Sequence, residues 1–207
     1  MTLPRWVVLT AGLLGCAHEA AAPAAPSADP SAVKPGKMPD SARYFPLAVG
    51  NHWTYQATYL GERSTRQVEV IAFRDGDYVD RDGRALRVDR EGVRDQVRYL
   101  LHEPLSVGAT WTSIVAPGAA EHYKILSIRS PCEAPAGKFP DCVEVESRAI
   151  VDPRTPGRLL VNRVTFAAGV GIVRVRTALE EGTKSAPTAE LLLTAFEVAH
   201  PTQLPLR

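Results

Sequence analysis

The chain has 207 residues, with 24 basic and 23 acidic side chains and a formal charge of +1. Residues 1 to 15 carry Arg5 and no acid, so the remainder balances at 23 against 23; a neutral body lacks the basic face that nucleic acid demands, and nucleic acid is excluded as a partner. Roughly 160 residues follow the N-terminal segments described next, enough for one domain with a sizeable core and too few for two.

Arg5 opens a short positive region, Trp6 to Leu14 form an apolar stretch of nine residues, and Leu13-Leu14-Gly15-Cys16 ends it. A membrane-spanning helix needs about 20 apolar residues, twice this stretch. The pattern over residues 1–15 resembles a bacterial lipoprotein signal peptide. That resemblance implies cleavage between Gly15 and Cys16 and acyl chains on Cys16, with Leu14 bulkier than the small residue usual at its position. Several acyl chains, at ~0.8 kcal/mol per buried CH₂, hold a protein on a membrane with no segment crossing it. By the sorting rule of such lipoproteins, an Asp after the cysteine retains the protein at the inner membrane; Ala17 stands there, so the expected location is the outer membrane, lipid-anchored.

Ala17 to Ala42 are mostly Ala, Pro and Ser, with too little apolar surface to offset the entropy of ordering, and read as a disordered tether. With Cys16 they make up residues 16–42 of the domain plan; an all-β domain over 43–200 and a tail over 201–207 complete it. At ~3.1 Å per residue, 26 residues extend up to about 80 Å.

The domain states one phrase twice, PLAVGNHWTY from Pro46 and PLSVGATWTS from Pro104, with six identical positions at a spacing of 58 residues. In each copy Pro46 or Pro104 fixes φ, Leu and Val offer apolar side chains, Gly50 or Gly108 supplies a turn, and Trp53 or Trp111 opens a strand-like run. The expectation is a strand entrance with each Trp buried as a core plug; a ligand-gripping aromatic pair is the rival reading.

Periodicity in the domain is two. Trp53, Tyr55, Ala57 and Tyr59 share one face against His52, Thr54, Gln56 and Thr58, and Val93, Val97, Tyr99 and Leu101 repeat the alternation. Turn signals such as Asp75-Gly76, Asp82-Gly83, Glu91-Gly92, Ala136-Gly137, Pro156-Gly157 and Glu181-Gly182 separate the runs. Strands are predicted near 52–60, 66–74, 77–81, 84–90, 93–101, 110–115, 121–130, 139–151, 159–167, 171–180 and 188–198, the last being open to a short helix through Leu191, Leu192, Leu193 and Phe196. The fold class is all-β: a single-domain antiparallel meander forming a strongly curled sheet or partial barrel.

The order YFPLAVGNHWTY, PLSVGATW, APAGKFPDCVEVES, FAAGVGIVRV resembles the DUF3108-like or TapB-like group of bacterial envelope proteins over most of residues 43–198. The resemblance implies a curled all-β domain and transfers no reaction.

Cys132 and Cys142 flank a turn centred on Gly137, which places them opposite each other across a hairpin; in an oxidising envelope they form a disulfide. Neither lies in a CxxC pair, so zinc is a poor rival. Asp75, Asp77, Asp80 and Asp82 fail the calcium-loop pattern, with Tyr78 where the first Asp belongs, and read as hairpin residues. No HExxH, G-x-S-x-G or phosphate loop occurs, so no catalytic residue, metal site or cofactor is assigned. Nine Arg between Glu62 and Arg98 meet nine acids, which reads as an ion-paired sheet face. The expected function is a non-catalytic envelope binding or structural module; the alternatives are a carrier of a lipid or other apolar ligand on the concave face, and a hydrolase. The expected partners are the membrane, through the N-terminal lipid, and envelope proteins or an apolar ligand.

Overall fold

A computed structural model describes residues 38–155 and 157–199. Cys16, the lipoprotein signal, most of the tether and the C-terminal tail lie outside the described residues.

Twelve strands alternate with tight turns: β1 (His52–Tyr59), β2 (Glu62–Arg74), β3 (Asp77–Asp80), β4 (Ala85–Asp89), β5 (Gly92–Arg94), β6 (Tyr99–His102), β7 (Thr110–Ala116), β8 (Ala119–Ala134), β9 (Gly137–Ile150), β10 (Arg158–Ala167), β11 (Gly171–Glu181) and β12 (Lys184–Glu197). They form one antiparallel sheet in the order β6-β5-β4-β3-β2-β1-β12-β11-β10-β9-β8-β7, nearly closed into a barrel. The long central strands carry the inward apolar set. One rung runs Ala57, Leu191, Val175, Val164, Val145 and Ile125 across six strands. Burying such a row against the opposite wall is what forces a sheet this wide to curl.

The expected 93–101 strand is broken. The Asp95 carboxylate accepts from the backbone N–H of Val97 and Arg98, both at 2.9 Å, and the chain turns between β5 and β6. An Asx turn overrides the alternation here, so Val93 and Leu101 are fully buried while Val97 is 54% exposed. The 188–198 segment is strand up to Glu197, as part of β12, and not a helix.

Defined structure also reaches into the segment that composition assigns to the tether. Asp40–Tyr44 form a 3-10 turn in which Ser41 and Ala42 are buried, and the Ser41 N–H donates to Glu103 at 2.7 Å. The Tyr44 hydroxyl donates to Asp141 at 2.6 Å, and the Arg43 carbonyl accepts from Gly169 at 2.7 Å. Tyr44, Phe45 and Leu47 thereby join the core across one end of the sheet.

The repeated phrase builds one backbone device twice. Gly50 donates to Val70 at 2.8 Å, Val70 to Asn51 at 2.9 Å and Asn51 to Ala48 at 3.1 Å; Gly108, Ile125 and Ala109 make the same bonds to Ile125, Ala109 and Ser106 at 2.8, 2.9 and 3.0 Å. Both glycines sit in the left-handed region, with φ of 92° and 85°. The valines of the phrase, Val49 and Val107, are exposed, not core. Pro46 is buried and Pro104 exposed.

The two tryptophans differ. Trp53 is 1% exposed, donates its indole N–H to the Val170 carbonyl at 2.6 Å, and packs on Phe45. Trp111 is half-buried at the sheet edge; it donates to the Tyr99 carbonyl at 3.0 Å and stacks on Tyr123, ring centroids 5.0 Å apart. The expectation of two equal plugs therefore gives way to one plug and one seam residue.

Trp53→Ala is expected to cost about 3–5 kcal/mol, as for a buried aromatic truncation. Trp111→Ala loses two stacked contacts, with Tyr123 and His102, and one hydrogen bond, together about 1–3 kcal/mol. Denaturant unfolding of both variants measures the difference, and equal losses would contradict the half-buried edge position of Trp111.

Candidate functional site

One residue along from the apolar rung lies a charged one. Thr58, Glu190, Arg176, Arg163, Glu146 and Lys124 pair in sequence across the same six strands, and by strand alternation they point to the opposite face. The inward side is apolar and the outward side charged, the reverse of a transmembrane barrel.

Local pairing decides the electrostatics of this outer face. Arg163 and Arg176 stand directly opposite each other, an unfavourable like-charge pair. Each is relieved by a glutamate: Arg163 Nε lies 2.9 Å from Glu146, and Arg176 Nη2 lies 3.3 Å from Glu144. Arg148 adds a second cation to Glu146 at 2.7 Å and reaches Glu180 at 3.1 Å. Burial alone would raise the Glu146 carboxyl, but the hydrogen bonds from Arg148 and Arg163 outweigh it and hold the group below its ordinary range.

Two hollows open on this face and meet at Arg176. One, of about 600 Å³, is lined by Val161, Arg163, Ala178, Glu180 and Glu190 together with the Thr58–Gly61 end of β1. The other, of about 760 Å³, lies beside Cys132 and Cys142 and includes Phe139, Glu144, Thr165 and Arg174. They are the ligand-sized spaces beside the predicted disulfide and the ion-paired strands.

Cys132 and Cys142 are bonded, with Cα atoms 6.1 Å apart. They are not directly opposite: Cys132 pairs with Phe139 and Cys142 with Ser130, because the register shifts between Ser130 and Cys132 and the bridge runs diagonally. The hairpin it closes reaches back to β12, where Ala136 N–H donates to the Leu193 carbonyl at 2.9 Å.

The acidic hairpin run is spent on arginines. Asp77 binds Arg87 at 2.7 Å, Asp80 binds Arg84 at 3.1 Å, Asp82 binds Arg84 at 2.5 Å, and Asp75 with Gly76 makes the turn with both φ positive. Among the described residues no group of three or more His, Cys, Asp or Glu side chains is placed to hold a metal. Pro46, Gly50 and Trp53 lie at the capped end of the core, and Pro104, Gly108 and Trp111 at the β7 edge; neither copy borders the two hollows. Arg163, Arg174 and Arg176 were not singled out by the sequence, since their grouping depends on strand register.

Inside the sheet, above the apolar rung, a polar layer forms. Thr177 donates to Asn162 at 2.8 Å, and Asn162 to Ser147 at 3.4 Å. Beyond it Tyr123 donates to Glu121, which Arg98 also binds at 2.9 Å.

The ionisation shifts set the pH limits of the fold. Glu146 is lowered on folding, so its contribution is present above the ordinary carboxyl value of 4.5 and is lost as pH falls. Burial first, and then carboxylate partners, push Tyr44 and Tyr99 up to about 12 from 10.0. A raised value means the folded state holds the proton more tightly, so that contribution is intact below pH 10 and is lost between there and about 12. Melting temperature against pH is expected to show both limbs, with Glu146→Gln flattening the acid limb; an unchanged acid limb would show that Glu146 is not bound by its arginines.

No family model matches the chain, and no curated protein matches it. Among solved structures it is similar to a protein from Bacteroides fragilis NCTC 9343 described as exported and of YmcC-like fold, with a TM-score of 0.46 and 13% identity over 74% of this chain and 98% of that one. It is also similar to a protein from Parabacteroides distasonis ATCC 8503 described as a lipoprotein, with a TM-score of 0.40 and 12% identity over 74% and 98%.

Proposed function

We propose that the chain is a bacterial envelope lipoprotein, anchored in the outer membrane through Cys16, whose β-domain is a non-catalytic module that binds another envelope macromolecule through its charged outer face. The observation that carries this reading is the occupancy of the concave side. Trp53, Phe166, Leu193, Val143 and Val173 fill it, and Tyr44, Phe45 and Leu47 pack into one end. A carrier of an apolar ligand needs that space. The hollows instead open on the outer face, where charges of both signs are mixed, an arrangement suited to orienting a polar partner.

Two further features support the reading. The Cys132–Cys142 bond suits an oxidising compartment. On the outer face Arg148, Arg163 and Arg176 are held by Glu144, Glu146 and Glu180 in fixed pairs, which favours a structural and recognition role over proton transfer.

Cys16→Ser is expected to abolish acylation and release the protein from the membrane fraction, because serine lacks the nucleophilic sulfur for thioether formation; a variant still acylated at its N-terminus refutes the anchor. A photocrosslinker at position 176 is expected to capture one discrete envelope species that Glu190→Lys weakens, and lipid extracted from the released domain to fall well below one molecule per chain. Stoichiometric lipid would favour the carrier instead.

A further inference from the structure

On the outer face Arg148, Arg163 and Arg176 each meet a glutamate. Arg174, in the hollow beside the disulfide, meets none among the described residues. Its Nη2 donates to the Glu133 carbonyl at 2.6 Å, and its Nε is buried without any partner. A buried donor left unmade costs about 1–3 kcal/mol, so an orphan guanidinium N–H in a native protein points to an acceptor that joins it.

The other charges of the hollow cancel. Arg176 is bound to Glu144, and Lys138 stands opposite Glu133 across the hairpin. One positive charge is left over, and Arg174 carries it. The Thr165 hydroxyl borders the same space, and Phe139 with the Cys132–Cys142 bridge supplies an apolar wall. About 760 Å³ accommodates a small molecule.

We infer that this hollow binds a small organic oxyanion, a carboxylate or phosphate attached to a compact apolar group, with Arg174 as the fork that receives the oxyanion and Phe139 as the surface that receives the apolar part. Arginine suits the task because its planar donors match a carboxylate or phosphate edge. The inference deepens the binding role proposed for this face by naming a ligand class.

The test is calorimetric titration of the purified, disulfide-bonded protein with benzoate, benzamide and inorganic phosphate. Saturable benzoate binding is expected, with benzamide on the order of tenfold weaker or absent because it lacks the charge. Arg174→Gln is expected to weaken benzoate on the order of tenfold, and Arg174→Lys to weaken it less, since the charge stays while the fork is lost. Arg174→Gln removes one hydrogen bond, to the Glu133 carbonyl, and no ion pair among the described residues, so its melting temperature reports whether the fold is intact. Phosphate bound without benzoate would overturn the role of the apolar wall. Benzoate binding indifferent to Arg174, or no anion binding at all, overturns the site. Neither result bears on the crosslinked species at position 176, so the two readings fail separately.

Discussion

A twelve-strand meander leaves two edges, β6 and β7, that the sheet order never brings into backbone pairing. Side chains close that seam. The Trp111 indole donates across it to the Tyr99 carbonyl, and Arg98 reaches from the β5–β6 turn to Glu121 on β8 while also holding Asp95 at 3.0 Å. Glu121 is 8% exposed and takes the Tyr123 hydroxyl as well. A buried carboxylate of this kind is tolerable only while its cation stays, and breaking such a pair costs about 3–5 kcal/mol. Val93 and Leu101 belong to strands of three and four residues that could not exclude water by themselves, yet both are fully buried. Their burial depends on the seam being shut.

The two faces of the sheet are set by one register. Ala57-Leu191-Val175-Val164-Val145-Ile125 and Thr58-Glu190-Arg176-Arg163-Glu146-Lys124 are adjacent rungs, so a slip of one residue anywhere would exchange an apolar row for a charged one. That penalty is what pins strands as long as β8 and β9, even though β8 shifts register three times between Ile125 and Cys132. The bulges bend the lower hairpin toward β12, and the diagonal disulfide holds it bent. The hollow containing Arg174 borders that hairpin.

Strands such as β1 were legible because alternation with a period of two survives in them, and the repeated phrase was legible because its hydrogen-bonded device is local. The fates of its two copies were not. The same Trp is enclosed where β1 lies between β2 and β12 and half-open where β7 ends the sheet, and position in a sheet is a tertiary property. The break at Asp95 hid behind a good alternation because a side-chain acceptor can outcompete the ladder for two N–H groups. Ser41 and Ala42 looked like tether because small residues give no hydrophobic signal, although small size is what lets them pack. The orphan on Arg174 could not be read at all, since it consists of a glutamate missing from a particular place.

The capped end of the barrel gives the lipid-anchored reading a mechanical logic. Asn51 is fully buried; its Nδ2 donates to Pro46 at 3.0 Å, and its Oδ1 accepts from Ala199 at 2.8 Å. One side chain thus joins the segment leading into β1 to the chain leaving β12. The bonds of Ser41, Arg43 and Tyr44 to Glu103, Gly169 and Asp141 tie the segment before β1 to three separate parts of the sheet. Peeling β1 from the barrel would require those contacts, the Phe45 and Trp53 packing, and the Asn51 clamp to fail together. The turns at 60–61 and 182–183 and the segment 151–155 lie at the opposite end of the strands, with Leu60 and Val151 exposed. The contacts that secure the entry to β1 therefore gather at one end of the strands, close to the disulfide hairpin, while the hollow lined by Thr58, Leu60 and Gly61 opens toward the other.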